Sequence, residues 1–316
     1  MYHRFFGLRE NPFNVNPDPR YLYMTPQIRE ALAGLTYGIQ NRKGFVLLTG
    51  EVGTGKTTLL NRLLDWLRVR QVASAFLFNT RLNVSEMFDF MMTEFEIPCE
   101  SREKSQVLLR LNQWLLDRYR AGETAVLILD EAQNLSSEVL EEVRLLTNLE
   151  TSTEKLLQIV LSGQPELEEK LRMPQLRQLR QRIILRCHTG PLSAEETSGY
   201  IAERLRIAGA NGEPIFSNEA MEAVHKFSRG IPRVVNLLGE HSLIGAYAEG
   251  LRPVSARLVE EVANEFHLDE FAPDCSQEQA PNALSSADVQ SLLENLDELV
   301  GRLRQVGVMS QTERKL

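Results

Sequence analysis

Two spacings of apolar residues alternate along the first 190 positions of this chain. Short unbroken apolar runs, such as FVLLT at 45–49 and AVLIL at 125–129, are parted by longer stretches in which leucines and aromatics return every three or four residues. Unbroken runs of this length suit strands buried on both faces, and the three-and-four spacing suits helices packed on one side. The pattern predicts strands at 45–49, 73–78, 125–129, 156–161 and 183–185. Between them it predicts helices at 26–40, across Leu59, Leu60, Leu63, Leu64 and Leu67, and at 85–95, 105–119, 137–149 and 165–172. Strand and helix in alternation imply a parallel sheet with helices on both faces, here an α/β domain over 1–190.

From Ser193 onward the strand runs stop. Helices are expected at 193–208, 217–228, 232–249 and 255–266, the first opened by a Ser193/Glu196 capping box and the second by Ser217. These make a small helical domain over 191–267. Residues 268–286 hold two prolines and little apolar material and read as a flexible linker. Beyond it, Val289, Leu292, Leu296, Leu299, Leu303 and Val306 place a narrow apolar seam on an amphipathic tail helix at 287–309. Such a seam serves self-association, a partner protein or packing back on the body. At the other end, FFGLRENPFNVNPDPRYLYMT mixes aromatics with Pro12, Pro17 and Pro19, as expected of an irregular segment strapped over a larger surface.

Composition narrows the picture modestly. The 316 residues are 43% hydrophobic and 25% charged, ordinary globular values. The net charge is −8, of which residues 267 onward, with nine acids against four Lys or Arg, carry −5. No global basic field therefore points to nucleic acid. Cys99, Cys187 and Cys275 are far apart and match no metal-ligand spacing, which implies a reducing compartment. With no apolar stretch of membrane length and no secretory leader, a soluble cytoplasmic protein is expected, one that could sit on the inner membrane surface.

The chemistry lies at the ends of two strands. FVLLT runs into Gly50-Glu51-Val52-Gly53-Thr54-Gly55-Lys56-Thr57, the phosphate-loop pattern GxxxxGK[ST], followed by Thr58. Glycines let the backbone N–H groups close around a polyphosphate at a helix N-terminus. Lys56 would reach the β- and γ-phosphates of ATP, and the Thr57 hydroxyl would ligate Mg²⁺. AVLIL ends in Asp130-Glu131, at the carboxyl end of a central strand, where ligand-facing groups gather. Asp130 would hold the metal's water shell and Glu131 would orient and deprotonate the attacking water. The plain alternatives are a glycine-rich turn and an ordinary acidic strand end.

Residues 170–186 carry six basic side chains and no acid. A solvated face accounts for most of them, but Arg182, between a helix and the 183–185 strand, is placed to reach a neighbouring subunit's nucleotide, with Arg177 and Arg180 as second choices. Gly230-Ile231-Pro232-Arg233 sets Arg233 in the first turn of a helix, where it could report the γ-phosphate to the helical domain.

The opening FFGLRENPF with PDPRYLYMT, the loop GEVGTGKTT, LILDEAQNL, QIVLSGQPEL, LRQLRQRI and GIPRVVNLL together resemble AAA+ ATPases of the ExeA or general-secretion-pathway A type. Transposon target-selection ATPases of the TnsC and TniB groups are related to these. The resemblance covers about 1–266. It implies a P-loop NTPase with a five-stranded parallel sheet in the order 5-1-4-3-2, a helical lid, ATP at their junction, and rings or spirals with interfacial active sites. It also implies Arg182 as the arginine acting in trans and Arg233 as the sensor on the lid. Where the family carries a polar sensor at a strand end, this chain has Ser162-Gly163-Gln164, so Ser162 and Gln164 both stand as candidates. Secretion members continue into a membrane span and a peptidoglycan-binding domain, whereas a linker and one helix follow here; a direct role in moving secretin subunits is weakened. No Asn-Lys pair occurs, which disfavours guanine recognition. The expectation is a Mg²⁺-dependent ATPase acting as a nucleotide switch on a protein assembly. The alternatives are an ATP-dependent DNA-binding regulator of a transposase or recombinase, using 170–186, and an inert nucleotide-bound scaffold.

Overall fold

A computed structural model describes residues 2–78, 81–98 and 103–268. The linker and the tail helix expected at 287–309 lie outside the described residues.

Five strands, β1 (Phe45–Gly50), β2 (Ala73–Leu77), β3 (Ala125–Leu129), β4 (Leu157–Gly163) and β5 (Ile183–Thr189), form one parallel sheet in the order β2-β3-β4-β1-β5. β1, β3 and β4 are buried along their whole length, which is why their sequences show no alternation. α1 (Tyr2–Phe6) opens the chain. One face of the sheet is covered by α2 (Pro26–Gln40) and α3 (Lys56–Val69). The other packs Phe45, Leu47, Leu127, Leu129, Ile159 and Leu161 against α4 (Val84–Glu94), α5 (Lys104–Arg120), α6 (Ser137–Leu146) and α7 (Pro165–Arg172). Thr25 caps α2 by accepting from the Ile28 N–H, with Pro26 at the first helical position, so this helix starts where the sequence predicts.

β5 is longer than the predicted 183–185. It is an edge strand on which Ile184, Arg186 and His188 face solvent while Cys187 and Thr189 are buried, so its second half reads as polar. It follows a short helix, α8 (Arg177–Arg182), which the apolar spacing did not reveal.

Beyond the sheet, α9 (Ala194–Ile207), α10 (Asn218–Ser228), α11 (Pro232–Glu249) and α12 (Ala256–Glu265) enclose a second apolar core. Residues 2–13, counted from sequence with the α/β domain of 1–190, belong to this core instead: Tyr2, Phe6, Leu8 and Phe13 are buried in it. Polar bonds fix the same placement. The Glu240 carboxylate accepts from Tyr2 Oη at 2.8 Å and Asn11 Nδ2 at 2.9 Å, and the Arg9 N–H donates to the Ala208 carbonyl at 2.7 Å. Four apolar side chains in the opening segment are more surface than an irregular strap leaves in water. The sheet and these helices belong to one compact body.

Candidate nucleotide site

The carboxyl end of β1 turns at Gly50, and the chain re-enters helix at Lys56. Gly53 and Gly55 between them adopt φ of +81° and +98°, in the left-handed region that side chains disfavour. Gly50 has a steric reason as well: a Cβ there would stand 2.2 Å from Thr189 Oγ1. Thr189 in turn meets Thr54 Oγ1 at 2.8 Å, so the edge strand buttresses the loop. Lys56 is folded into the loop, donating to the carbonyls of Gly50 (2.6 Å) and Glu51 (2.9 Å). Burial pulls its pKa below the usual lysine range, against the opposing charges of Glu131, Asp130 and Glu51.

At the end of β3, Asp130 is buried and fully engaged. Oδ1 accepts from Ser162 Oγ at 2.8 Å and from the Glu131 N–H at 3.0 Å, while Oδ2 accepts from Thr57 Oγ1 at 3.2 Å. Desolvation nevertheless raises its pKa above the ordinary carboxylate range, outweighing those hydrogen bonds. Glu131 turns away from its neighbour through a left-handed backbone, φ +52°, an uncommon conformation for a residue with a Cβ. Its Oε2 accepts from Gln133 Nε2 at 2.5 Å and Gln164 Nε2 at 3.2 Å. The two candidates at the end of β4 are thus divided: Ser162 touches Asp130, and Gln164 touches Glu131.

Gln133 stands in the DEAQ segment, yet nothing in its spacing marked it. Its Oε1 accepts from the Gln164 N–H at 3.2 Å, which leaves its NH₂ for the Glu131 carboxylate.

A cavity of about 350 Å³ opens over the loop. It is lined by Val52 to Thr58 and Glu131, by the segment from Val15 to Tyr23, and by Tyr200, Arg204, Pro232, Arg233 and Asn236 of the helical part. This is within the volume range of small-molecule sites. Arg233 reaches the loop directly: its backbone N–H donates to the Gly53 carbonyl at 3.2 Å, and a Cβ on Gly53 would stand 2.7 Å from the Arg233 Cβ.

Arg182 is elsewhere. It is absent from the cavity lining and lies at the C-terminal end of α6, where its Nη1 donates to Asn148 Oδ1 at 2.9 Å, to the Arg144 carbonyl at 3.5 Å and to Thr147 Oγ1. Arg177 and Arg180 are exposed on α8.

A family model described as an AAA domain matches residues 39–171, from the end of α2 through both acids to α7. The chain belongs to the AAA+ P-loop NTPases, and the sheet order with helices following the last strand is the architecture of that class. Within it, the chain is similar to the general secretion pathway protein A of Aeromonas hydrophila, at 47% identity over 251 residues covering 79% of this chain. It spans about half of that relative's length, 46%. Among solved structures it is similar to the Aeropyrum pernix ORC2 protein, at 18% identity and TM-score 0.61 over 84% of this chain and 73% of that one. It is also similar to Cdc6p from Pyrobaculum aerophilum, at 18% identity and TM-score 0.64 over 80% and 70%. At such identities the likeness is one of fold.

Proposed function

We propose that this protein is a Mg²⁺-dependent ATPase whose bound nucleotide governs contact between copies of the chain, and through it a protein assembly of the secretion or envelope kind. The observation that carries the reading is the division of labour between the paired acids: Asp130 is tied to Thr57 of the phosphate loop, while Glu131 is held by Gln133 and Gln164 at the cavity wall.

The residues present suit a magnesium triphosphate. Among the described residues no cluster of three or more His, Cys, Asp or Glu could hold a metal ion. Mg²⁺ asks for less, because it is usually held by one or two protein oxygens with phosphates and waters completing its shell. Thr57 Oγ1 and the Asp130 carboxylate are such a pair, and a cation beside Asp130 would relieve the desolvation of that carboxyl. Bound there, Mg²⁺ would neutralise charge on the β- and γ-phosphates. Lys56 needs only to exchange two loop carbonyls for phosphate oxygens. Glu131 would take the proton of the attacking water, and Arg233 would link the terminal phosphate to the lid. The secretion link comes from the relative's name and its 47% identity.

A second reading, that ATP controls binding to duplex DNA, draws on Arg172, Arg177, Arg180 and Arg186, all exposed in one segment. The Drosophila ORC structure, at 18% identity and TM-score 0.63, is of a complex with DNA. One experiment separates the readings: turnover and sedimentation of wild type, Lys56→Ala and Glu131→Gln, with and without duplex DNA, at low and high salt. The ATPase reading expects Lys56→Ala to lose binding, and Glu131→Gln to bind ATP but turn over about a hundredfold or more slower. Full turnover in Lys56→Ala would refute it. Stimulation by DNA that fades with salt would select the second reading, since phosphate contacts release counterions.

A further inference from the structure

The segment between α1 and α2 forms much of the cavity wall, yet it has almost no regular structure of its own, only a 3₁₀ turn at Pro19–Tyr21. A residue of the lid holds it. Arg204, on α9, is 5% exposed and directs its guanidinium at the segment's backbone. Nε donates to the Pro12 carbonyl, Nη2 to the Asn14 carbonyl at 3.2 Å, and Nη1 to Tyr200 Oη at 2.8 Å. The guanidinium also lies over the Tyr21 ring at 4.5 Å and the Tyr200 ring at 5.3 Å. Tyr200 Oη donates onward to Asn236 Oδ1 at 2.9 Å. From the sheet side, Asn61 Nδ2 donates to the Pro17 carbonyl at 2.8 Å. Arg204, Tyr21, Tyr200 and Asn236 all line the cavity.

If the loop at 50–57 takes the phosphates, the nucleoside faces the rest of the lining. There Val15, Leu22, Tyr23, Ile28 and Pro191 offer apolar surface. We infer that Arg204 is a positioning residue for the nucleoside end of the ligand: it pins the carbonyls of Pro12 and Asn14 so that the base wall is formed before nucleotide arrives. The inference rests on the nucleotide reading above and deepens it. Its physical content is preorganisation. A segment whose own bonds are confined to short local turns must otherwise be ordered in large part by the ligand, at the expense of affinity. A guanidinium is suited to the task because it donates in several directions within a plane while stacking on aromatic rings, which an ammonium cannot reproduce.

The test compares equilibrium binding of ATP and of inorganic tripolyphosphate, each with Mg²⁺, to wild type, Arg204→Gln, Arg204→Lys and Tyr200→Phe. Loss of several charge-assisted bonds is expected to weaken ATP binding about tenfold or more in both Arg204 variants, and less in Tyr200→Phe. Tripolyphosphate, which has no base or sugar, is expected to bind all four proteins equally. Amide hydrogen exchange across 13–23 should quicken in parallel. Unchanged ATP affinity, even with faster exchange, would overturn the inference, because Arg204 would then only brace the lid. Equal weakening of both ligands would overturn it too, since the damage would have reached the phosphate loop. A wild type that binds neither ligand would instead refute the nucleotide reading itself. Tyr200→Phe keeps its ring and buried volume, so the comparison survives if the Arg204 variants fold poorly.

Discussion

Asp130 shows what a buried carboxylate does to the protein before any ligand arrives. Its three hydrogen bonds do not offset desolvation, and its folded-state pKa lies above its unfolded value. Across the interval between those values the folded chain holds a proton that the unfolded chain has lost, so stability falls as pH rises through it. Above the interval the ionised group is a standing cost. Asp130→Asn keeps acceptors for Ser162 Oγ and the Glu131 N–H and removes that charge. The variant is expected to be more stable than wild type without ligand at pH 8, by on the order of 1 kcal/mol, while losing turnover. Thermal unfolding at several pH values checks this. The gain should shrink as pH falls and vanish below the ordinary carboxylate range, where both proteins are neutral at this position. A variant equally destabilised at every pH would mean that the hydrogen bonds outweigh the desolvation.

Among the elements, those most legible in the sequence are the ones whose signals are local. α2 runs over Pro26–Gln40 and α11 over Pro232–Glu249 as predicted, because a proline at the first helical position marks each start. The phosphate loop and the two acids were legible because each occupies consecutive positions. What sequence could not show was held together by distant pairs. Arg204 meets Pro12 and Asn14 across some 190 positions, and Gln133 reaches the N–H at the start of α7 from 31 positions away. No spacing encodes either. The second half of β5 was hidden for a different reason, since an edge strand needs only alternate positions apolar. At this scale the Ser193 capping box is the simplest prediction. The Glu196 N–H donates to Ser193 Oγ at 3.2 Å, and Glu196 Oε2 accepts from the Ser193 N–H at 2.9 Å. Ser193→Ala should lower stability by about 1 kcal/mol, a fall of roughly 2–4 °C in Tm. A Tm unchanged from wild type would show that tertiary packing alone sets the start of α9.

At the scale of the molecule, two cores meet over one cavity. The Arg233 N–H donates to the Gly53 carbonyl at 3.2 Å, and so ties the helical part to the loop after β1. In the function proposed above, a ligand that bridges the loop and Arg233 would bear on the angle between the two parts, and through it on how copies of the chain pack. Arg182 is the residue on which this reading can be tested most sharply, because within its own chain it has a competing occupation. Its guanidinium holds the end of α6 and takes no part in the cavity. If that is its whole role, Arg182→Ala loses stability and any activity it loses cannot be restored by another protein. If it serves a neighbour's site, two dead proteins can rescue each other. Glu131→Gln retains an intact Arg182, and Arg182→Ala retains an intact Glu131. At a mixed interface, a site of the Arg182→Ala subunit receives the arginine of the Glu131→Gln subunit and is complete. Mixing the two is thus expected to yield turnover above that of either alone, rising with total protein concentration and approaching about a quarter of the wild-type rate at equal proportions if pairing is random. An arginine in trans contributes on the order of 10³-fold or more in rate, so the rescue should be plain above background. Turnover per subunit that stays flat on mixing and on dilution would place Arg182 in the packing of α6 and leave the phosphate site to work within single chains.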